Sequence, residues 1–334
     1  MARSLLAAAF AALTALSLAQ PVAAEANKLR AAKQFGLGYV QFMIMEDQKL
    51  VEKNAKVAGL GDITVEWNTF RSSDVMNDAL ISGNVDFVSL GVPGLMTIWD
   101  RTKGSINVAG AAGLNSLPLA LMVRDDSIKS LKDFTEKHRI AVPAVKVSNQ
   151  AILLQIQAEK EFGQGNHTKL DPLTVTMAHP DATIAMITGN KDVTANFSSV
   201  PFQQRQGKTA GVRRLMTSTD ILGGPFPFNV VATTAKFRSE NPKLYKAYLD
   251  ALNEATDIIN KDKKLAAETY LKMSKDKASL EDVLELLNDP DHQFTTKIAA
   301  IDGMIQFMAR TGNFKNKPTS GKELLFPEAN FVAP

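Results

Sequence analysis

From Lys28 onward the apolar positions switch repeatedly between a period of two and a period near 3.6. That switching predicts alternating strands and helices. Lys28–Phe35 reads as a strand and Gly36-Leu37-Gly38 as a turn. Phe42–Val57 reads as one helix, stopped by Gly59 and Gly61. Ile63–Trp67 is a second strand. The Ser72-Ser73-Asp74 cluster caps a helix whose Val75, Met76, Ala79 and Leu80 share a face, and Gly83-Asn84 ends it. Asp86–Ser89 is a third strand, and a loop and short helix run from Gly91 to Asp100. Ile106–Ala109 and Leu117–Val123 are further strands. A β-α-β-α-β order implies a mostly parallel sheet covered by helices.

The pattern then restarts. Leu131–His138 reads as a short helix, and Arg139–Val142 as a strand before Pro143. Ser148 opens a helix carrying Ile152, Ile156 and Phe162. Leu173–Met177 and Val193–Phe197 are strands around a helix at Asp181–Thr188. Pro201 starts a helix that stops at Gly207, and Val212–Met216 is one more strand. After the punctuated Gly223-Gly224-Pro225-Phe226-Pro227, Phe228–Thr233 is a strand. From there to Thr311 the chain is nearly all helix, with Tyr245, Tyr248, Leu249, Leu252, Ala255 and Ile259 on one stripe. The tail after Asn313 is Pro-rich and irregular.

This order predicts an α/β protein of two lobes. Residues 25–124 and 228–334 form a discontinuous first lobe, and 125–227 a second inserted between its parts. The chain crosses between them near Arg124-Asp125 and Leu222–Pro227, which makes a two-crossing hinge.

Length agrees, since 334 residues suit two domains better than one. Before Lys28 the chain has a different character. Arg3 precedes an apolar, small-residue run from Leu5 to Ala19, and Pro21-Val22-Ala23-Ala24 places small residues ahead of Glu25. This is the layout of a secretory signal peptide over residues 1–24. The run of about 15 residues is short of the ~20 that span a bilayer. There is no cysteine, which excludes disulfides, thiolate metal sites, thiol nucleophiles and a lipid anchor on a cleavage-point Cys. A soluble periplasmic protein is expected. The net charge of +3 comes without a basic block, so nucleic acid is not an expected partner.

Val65-Glu66-Trp67-Asn68-Thr69-Phe70, followed by Leu80-Ile81-Ser82-Gly83-Asn84-Val85-Asp86-Phe87 and Gly91, resembles the core of the nitrate/sulfonate/taurine substrate-binding family of ABC importers. Ile128–Phe134 with Arg139–Pro143, Asp192–Ala195 with Pro201-Phe202, and Val231–Thr234 with Phe237 and Asn241-Pro242 match further segments in the same order. The resemblance implies a type II periplasmic binding fold, an ABC permease as partner, and a small anionic or organic ligand of the sulfonate, taurine or nitrate class. Arg71-Ser72-Ser73 departs from the Gly-Pro common in that family, which leaves the ligand class open, thiamine-precursor pyrimidines included. Import by a monomeric binding protein is the expected role. An exported enzyme or a sensor subunit on the same fold is the alternative.

In open α/β sheets ligands bind beyond the carboxyl ends of the strands, where strand order reverses. For this fold that point selects Gly36, Leu37 and Tyr39, then Ser89 and Gly91, in the first lobe. The second lobe offers Ser148, Asn149 and Gln150 at a helix start, and Ser198 and Ser199. These loops supply hydroxyls, amides and a helix N-terminus, which holds an oxyanion without Lys or Arg. They contain no acid. Phe35, Tyr39 and Phe197 are candidates to pack on an apolar part of the ligand. Ser148 has a second reading as a plain N-cap, Ser89 as a strand-end hydroxyl, and Trp67 reads as core.

Enzyme signatures fail. Gly36-Leu37-Gly38-Tyr39-Val40-Gln41 lacks the third glycine of a dinucleotide fingerprint. Two positions before Ser89 stands Phe87, where a nucleophile elbow has its first glycine. His138, His167, His179 and His292 show no metal-ligand spacing and read as surface or capping residues. No cofactor, metal or catalytic residue is expected.

Overall fold

The computed structural model describes residues 24–312 and 314–332. The expected signal peptide lies outside the described residues, apart from Ala24. Strand β1 (Lys28–Lys33) is followed by a 3₁₀ turn at Leu37–Tyr39 and by helices α1 (Val40–Asp47) and α2 (Leu50–Val57). One helix was expected here. Lys49 in the left-handed region, at φ 52°, breaks it in two. The break separates two environments. Val40 to Met45 of α1 are all buried, while α2 is amphipathic and buries Leu50, Val51 and Ala55.

Next come β2 (Thr64–Thr69), α3 (Ser73–Ile81), β3 (Phe87–Leu90), α4 (Val92–Thr102) and β4 (Val108–Ser116). The second unit holds β5 (Ala120–Val123), β6 (Ile140–Val142), α5 (Asn149–Phe162), β7 (Thr174–Thr176) and α6 (His179–Thr188). It continues with β8 (Ala195–Ser198), α7 (Phe202–Gly207), β9 (Arg213–Thr217) and α8 (Ser218–Leu222). The chain then returns through β10 (Asn229–Thr234) to helices α9 (Ala235–Glu240), α10 (Pro242–Lys261), α11 (Lys263–Ser274) and α12 (Leu280–Asn288). Short strands β11 (Gln293–Phe294) and β12 (Ile298–Ala299), helix α13 (Asp302–Thr311) and β13 (Phe331–Val332) finish it. The helix expected over Leu131–His138 is only a 3₁₀ turn at Leu131–Asp133. Its capping box between Ser130 and Asp133 is in place, but Phe134 is already extended.

Two sheets organise the molecule. The first has the order β11-β4-β10-β3-β1-β2, and the second β7-β6-β8-β5-β9. Both share one plan. β1 pairs in parallel with β2 and β3, while β10 runs antiparallel between β3 and β4. β6 pairs in parallel with β7 and β8, while β5 runs antiparallel between β8 and β9. Each antiparallel strand is the first one laid down after the chain crosses from the other sheet. This corrects the first boundary. β5 belongs to the second sheet, so the crossing lies between Ser116 and Ala120, ahead of Arg124-Asp125. The apolar run Leu117–Val123 carries no mark of the sheet change. A continuous apolar strand such as β5 looks the same whichever sheet receives it.

The two crossings lie side by side. Leu119 N–H donates to Ser218 Oγ at 3.0 Å, and Ser218 N–H donates back to Leu119 O at 2.8 Å. Ser116 Oγ donates to Phe226 O at 2.8 Å, and Phe228 N–H to Asn115 O at 2.9 Å. Two side-by-side crossings between lobes are the usual layout of a hinge.

The first lobe's core is aromatic. Phe87 on β3 is fully buried and stacks on Tyr248 of α10 at 3.9 Å. Trp67 packs there as read, with Phe42 at 5.4 Å and Tyr248 at 6.5 Å. The stripe of α10 buries Leu244, Tyr245, Tyr248, Leu252, Ala255 and Ile259.

Candidate ligand-binding site

The lobes meet along two seams, and glycine makes both possible. Gly36 ends the segment after β1 at φ 104°, a conformation that L side chains rarely adopt. A Cβ there would lie 2.9 Å from the Val200 carbonyl oxygen and 3.1 Å from the Phe202 ring. The neighbouring Leu37 N–H donates to that Val200 oxygen at 3.1 Å. At the second seam a Cβ on Gly91 would stand 2.6 Å from Asn149 Nδ2. Asn149 begins α5, and its Nδ2 donates to Phe228 O at 2.7 Å, back in the first lobe.

Between the seams lies a chamber of about 20 Å³, room for about one water. The first lobe lines it with Gln34, Tyr39, Ser73, Gly91, Phe228 and Asn229, and the second with Pro143, Ser148, Asn149, Gln150 and His179. Five of these residues were singled out in the sequence: Tyr39, Gly91, Ser148, Asn149 and Gln150. The other five do not line the chamber. Gly36 faces an outer groove, and Leu37 is fully buried, its N–H committed to the seam. Ser198 Oγ accepts from Gln206 Nε2 at 3.1 Å. The hydroxyls of Ser89 and Ser199 are buried without a partner, away from the chamber. Phe197 is core, at 0% exposure.

No charged side chain lines the chamber. The Tyr39 hydroxyl is held neutral, because burial pushes it above its usual range despite its bond to Asn229 Oδ1. Burial lowers the His179 imidazole to about 4. His179 was read as surface or capping, and that is corrected. It starts α6, is 5% exposed and stacks on Phe202 at 5.6 Å. His138 and His292 are buried too, each tied to backbone: Thr135 N–H donates to His138 Nδ1, and His292 Nδ1 meets Leu286 O. Among the described residues no three His, Cys, Asp or Glu side chains cluster as for a metal ion. Ser148 resolves toward the cap reading. Its hydroxyl donates to Ala144 O at 2.7 Å and accepts from Ala151 N–H at 3.2 Å.

Gln34, Ser73, Pro143, His179, Phe228 and Asn229 were missed. Ser73 stood in a recognised cap cluster, and Phe228 and Asn229 followed the recognised second crossing. Only the meeting of the two lobes turns those positions toward one another.

Outside the seam at Gly36 lies a groove of about 620 Å³. Phe35, Pro180, Pro201, Phe202, Tyr270 and Leu286 make its apolar floor. Ion pairs between the lobes cross its rim, Arg205 with Asp276 at 2.6 Å and Lys208 with Asp282 at 2.5 Å. Elsewhere Arg310 of α13 grips Glu159 of α5 through two nitrogens, at 3.1 and 2.5 Å. That guanidinium draws the Glu159 carboxyl down to about 2.

Solved structures share this fold. The alkanesulfonate-binding protein SsuA from Xanthomonas axonopodis pv. citri, bound to MOPS, superposes with a TM-score of 0.69 at 18% identity, over 93% of this chain and 100% of that one. The periplasmic aliphatic sulphonate binding protein SsuA from Escherichia coli gives 0.65 at 18% identity, over 91% and 98%. The periplasmic nitrate-binding protein NrtA from Synechocystis PCC 6803 gives 0.61 at 16% identity, over 79% and 70%. A sequence search of curated proteins returns no match. The profile of one family matches residues 25–272, most of the chain and all of the strands that build both sheets except β11. On that match, the chain belongs to the NMT1-like family.

Proposed function

We propose that this chain is the periplasmic solute-binding component of an ABC importer. It captures a small organic or anionic molecule between its lobes and presents the closed form to a membrane permease, as a monomer and without chemistry on the ligand. The observation that carries the reading is the chamber itself. Uncharged polar groups from both lobes converge where two sheets meet, and paired crossings join those sheets. A chamber of about 20 Å³ admits a ligand only when the hinge opens, which is how a clamp works. The structural neighbours make sulfonates and nitrate the first compounds to try. The alignment of groups also supports binding over catalysis. The Ser148 hydroxyl is spent on the cap of α5, and His179 faces Gln150 rather than a nucleophile.

Export fits the N-terminal pattern, and no helix among the described residues is long and apolar enough to cross a membrane. The test is a thermal-shift screen of the purified mature chain against sulfonates, carboxylates, nitrate, amides and pyrimidines. A ligand at a hundred times its Kd stabilises by about 2.7 kcal/mol. Small-angle scattering on each hit then reports closure. The reading fails if no compound class raises the Tm, or if the protein turns a hit over into product.

A further inference from the structure

Three residues that line the chamber each carry a buried side-chain atom without a hydrogen-bond partner, and neighbouring bonds fix the character of each. Asn149 Nδ2 donates to the Phe228 carbonyl. Only the amide nitrogen can do so, and the atom left over is the acceptor Oδ1. The amide nitrogen of Gln150 faces His179 Nε2 at 3.4 Å. An amide nitrogen offers only N–H, so Nε2 accepts, and the single ring proton of a neutral imidazole sits on Nδ1. His179 Nδ1 is then a donor without an acceptor. Asn229 Oδ1 accepts from the Tyr39 hydroxyl at 3.3 Å, which leaves its Nδ2 as a second unmatched donor. The three residues are 2, 5 and 2% exposed in that order. The chamber of the closed form has room for about one water, and a ligand group that displaces it must answer these atoms.

We propose that the buried end of the ligand is an uncharged group bearing an N–H donor beside its acceptor oxygen, a carboxamide or ureide, and that Asn149, His179 and Asn229 select it. The assignment rests on reading the chamber as the capture site. A nitrate, sulfonate or carboxylate group carries acceptors only. It satisfies the donors of His179 and Asn229 but leaves Asn149 Oδ1 buried, unpaired and facing negative charge. No Lys or Arg lines the chamber to offset that charge. The N-terminus of α5 favours a ligand oxygen on its side, and a carboxamide oxygen meets that preference as well.

Three probes of one carbon frame separate the cases: benzamide, benzoate and benzenesulfonate. Titration calorimetry on the full mature chain is expected to show benzamide binding at least about tenfold tighter than either anion, the weight of one unmade buried hydrogen bond. In Asn149→Ala the orphan acceptor is gone, and the amide-to-sulfonate ratio is expected to fall to within about threefold. The ratio is taken inside each variant, so a loss of closure common to all three probes cancels. Benzenesulfonate binding as tightly as benzamide, or a ratio unmoved by Asn149→Ala, overturns the assignment and leaves capture between the lobes standing. Failure of all three probes to bind also overturns it. Capture itself falls only if the wider screen above is blank.

Discussion

Replacing Gly91 with alanine tests whether the seam at Asn149 belongs to the closed clamp. In the closed form the added methyl carbon lands 2.6 Å from Asn149 Nδ2 and 2.7 Å from Cγ. Real carbon contacts do not reach that distance, so Asn149 must swing aside or the lobes must part. Swinging breaks its hydrogen bond to Phe228 O. The cost is about 1–3 kcal/mol, for a carbonyl left buried and unpaired. The backbone gives the opposite sign. Gly91 sits at φ −64° and ψ 158°, which alanine adopts freely. Loss of glycine's freedom in the unfolded chain stabilises by about 0.4–1 kcal/mol where the site tolerates the change. An open molecule therefore gains stability while closure loses it. Gly91→Ala is expected to keep or raise the Tm without ligand and to weaken ligand binding about tenfold or more. Calorimetry with the best compound from the screen measures the second quantity, and scattering measures the missing compaction. Unchanged affinity with normal compaction would show that the lobes do not close on this seam, and the reasoning would fail.

Acid stability should carry the signature of His179. Burial lowers its pKa in the folded chain to about 4, from the 6.5 usual for an imidazole. Between those values the unfolded chain takes a proton that the native one refuses, so stability is complete above pH 6.5 and drains away toward pH 4, by about 3 kcal/mol. His179→Gln should flatten that part of a denaturation series, and an unaltered profile would refute the assignment. The rim ion pair of Lys208 with Asp282 should matter little. Both side chains are exposed, and such pairs are worth about 0–1 kcal/mol. Lys208→Ala should lose affinity by only a few-fold, and the difference should vanish in 1 M salt. Phe87→Ala removes a fully buried ring stacked on Tyr248. It should cost about 3–5 kcal/mol in denaturant unfolding and leave the affinity of the folded fraction unchanged.

Glycine and histidine illustrate how local and distant information differ. At Gly36 and Gly91 the residue type was visible, and their place beside strand ends made them candidates. What glycine makes room for was not visible, because Val200 and Asn149 lie in the other lobe. His179 was misjudged for the same reason. Nothing near Ala178-His179-Pro180 reveals that Phe202 covers the ring.

Most of the elements follow from short-range pattern. The period of apolar residues, the Gly and Pro stops, and the caps at Ser130, Ser148 and Thr217 all act within a few positions along the chain. Tertiary structure made the remaining choices: the split of one helix at Lys49, the assignment of β5 to the second sheet, and the set of side chains that face the chamber. Burial and pairing partners decide those features, and both come from residues far beyond the reach of a local pattern, in other elements of the chain. A pattern of hydrophobicity states that a face must be covered. Packing alone states what covers it.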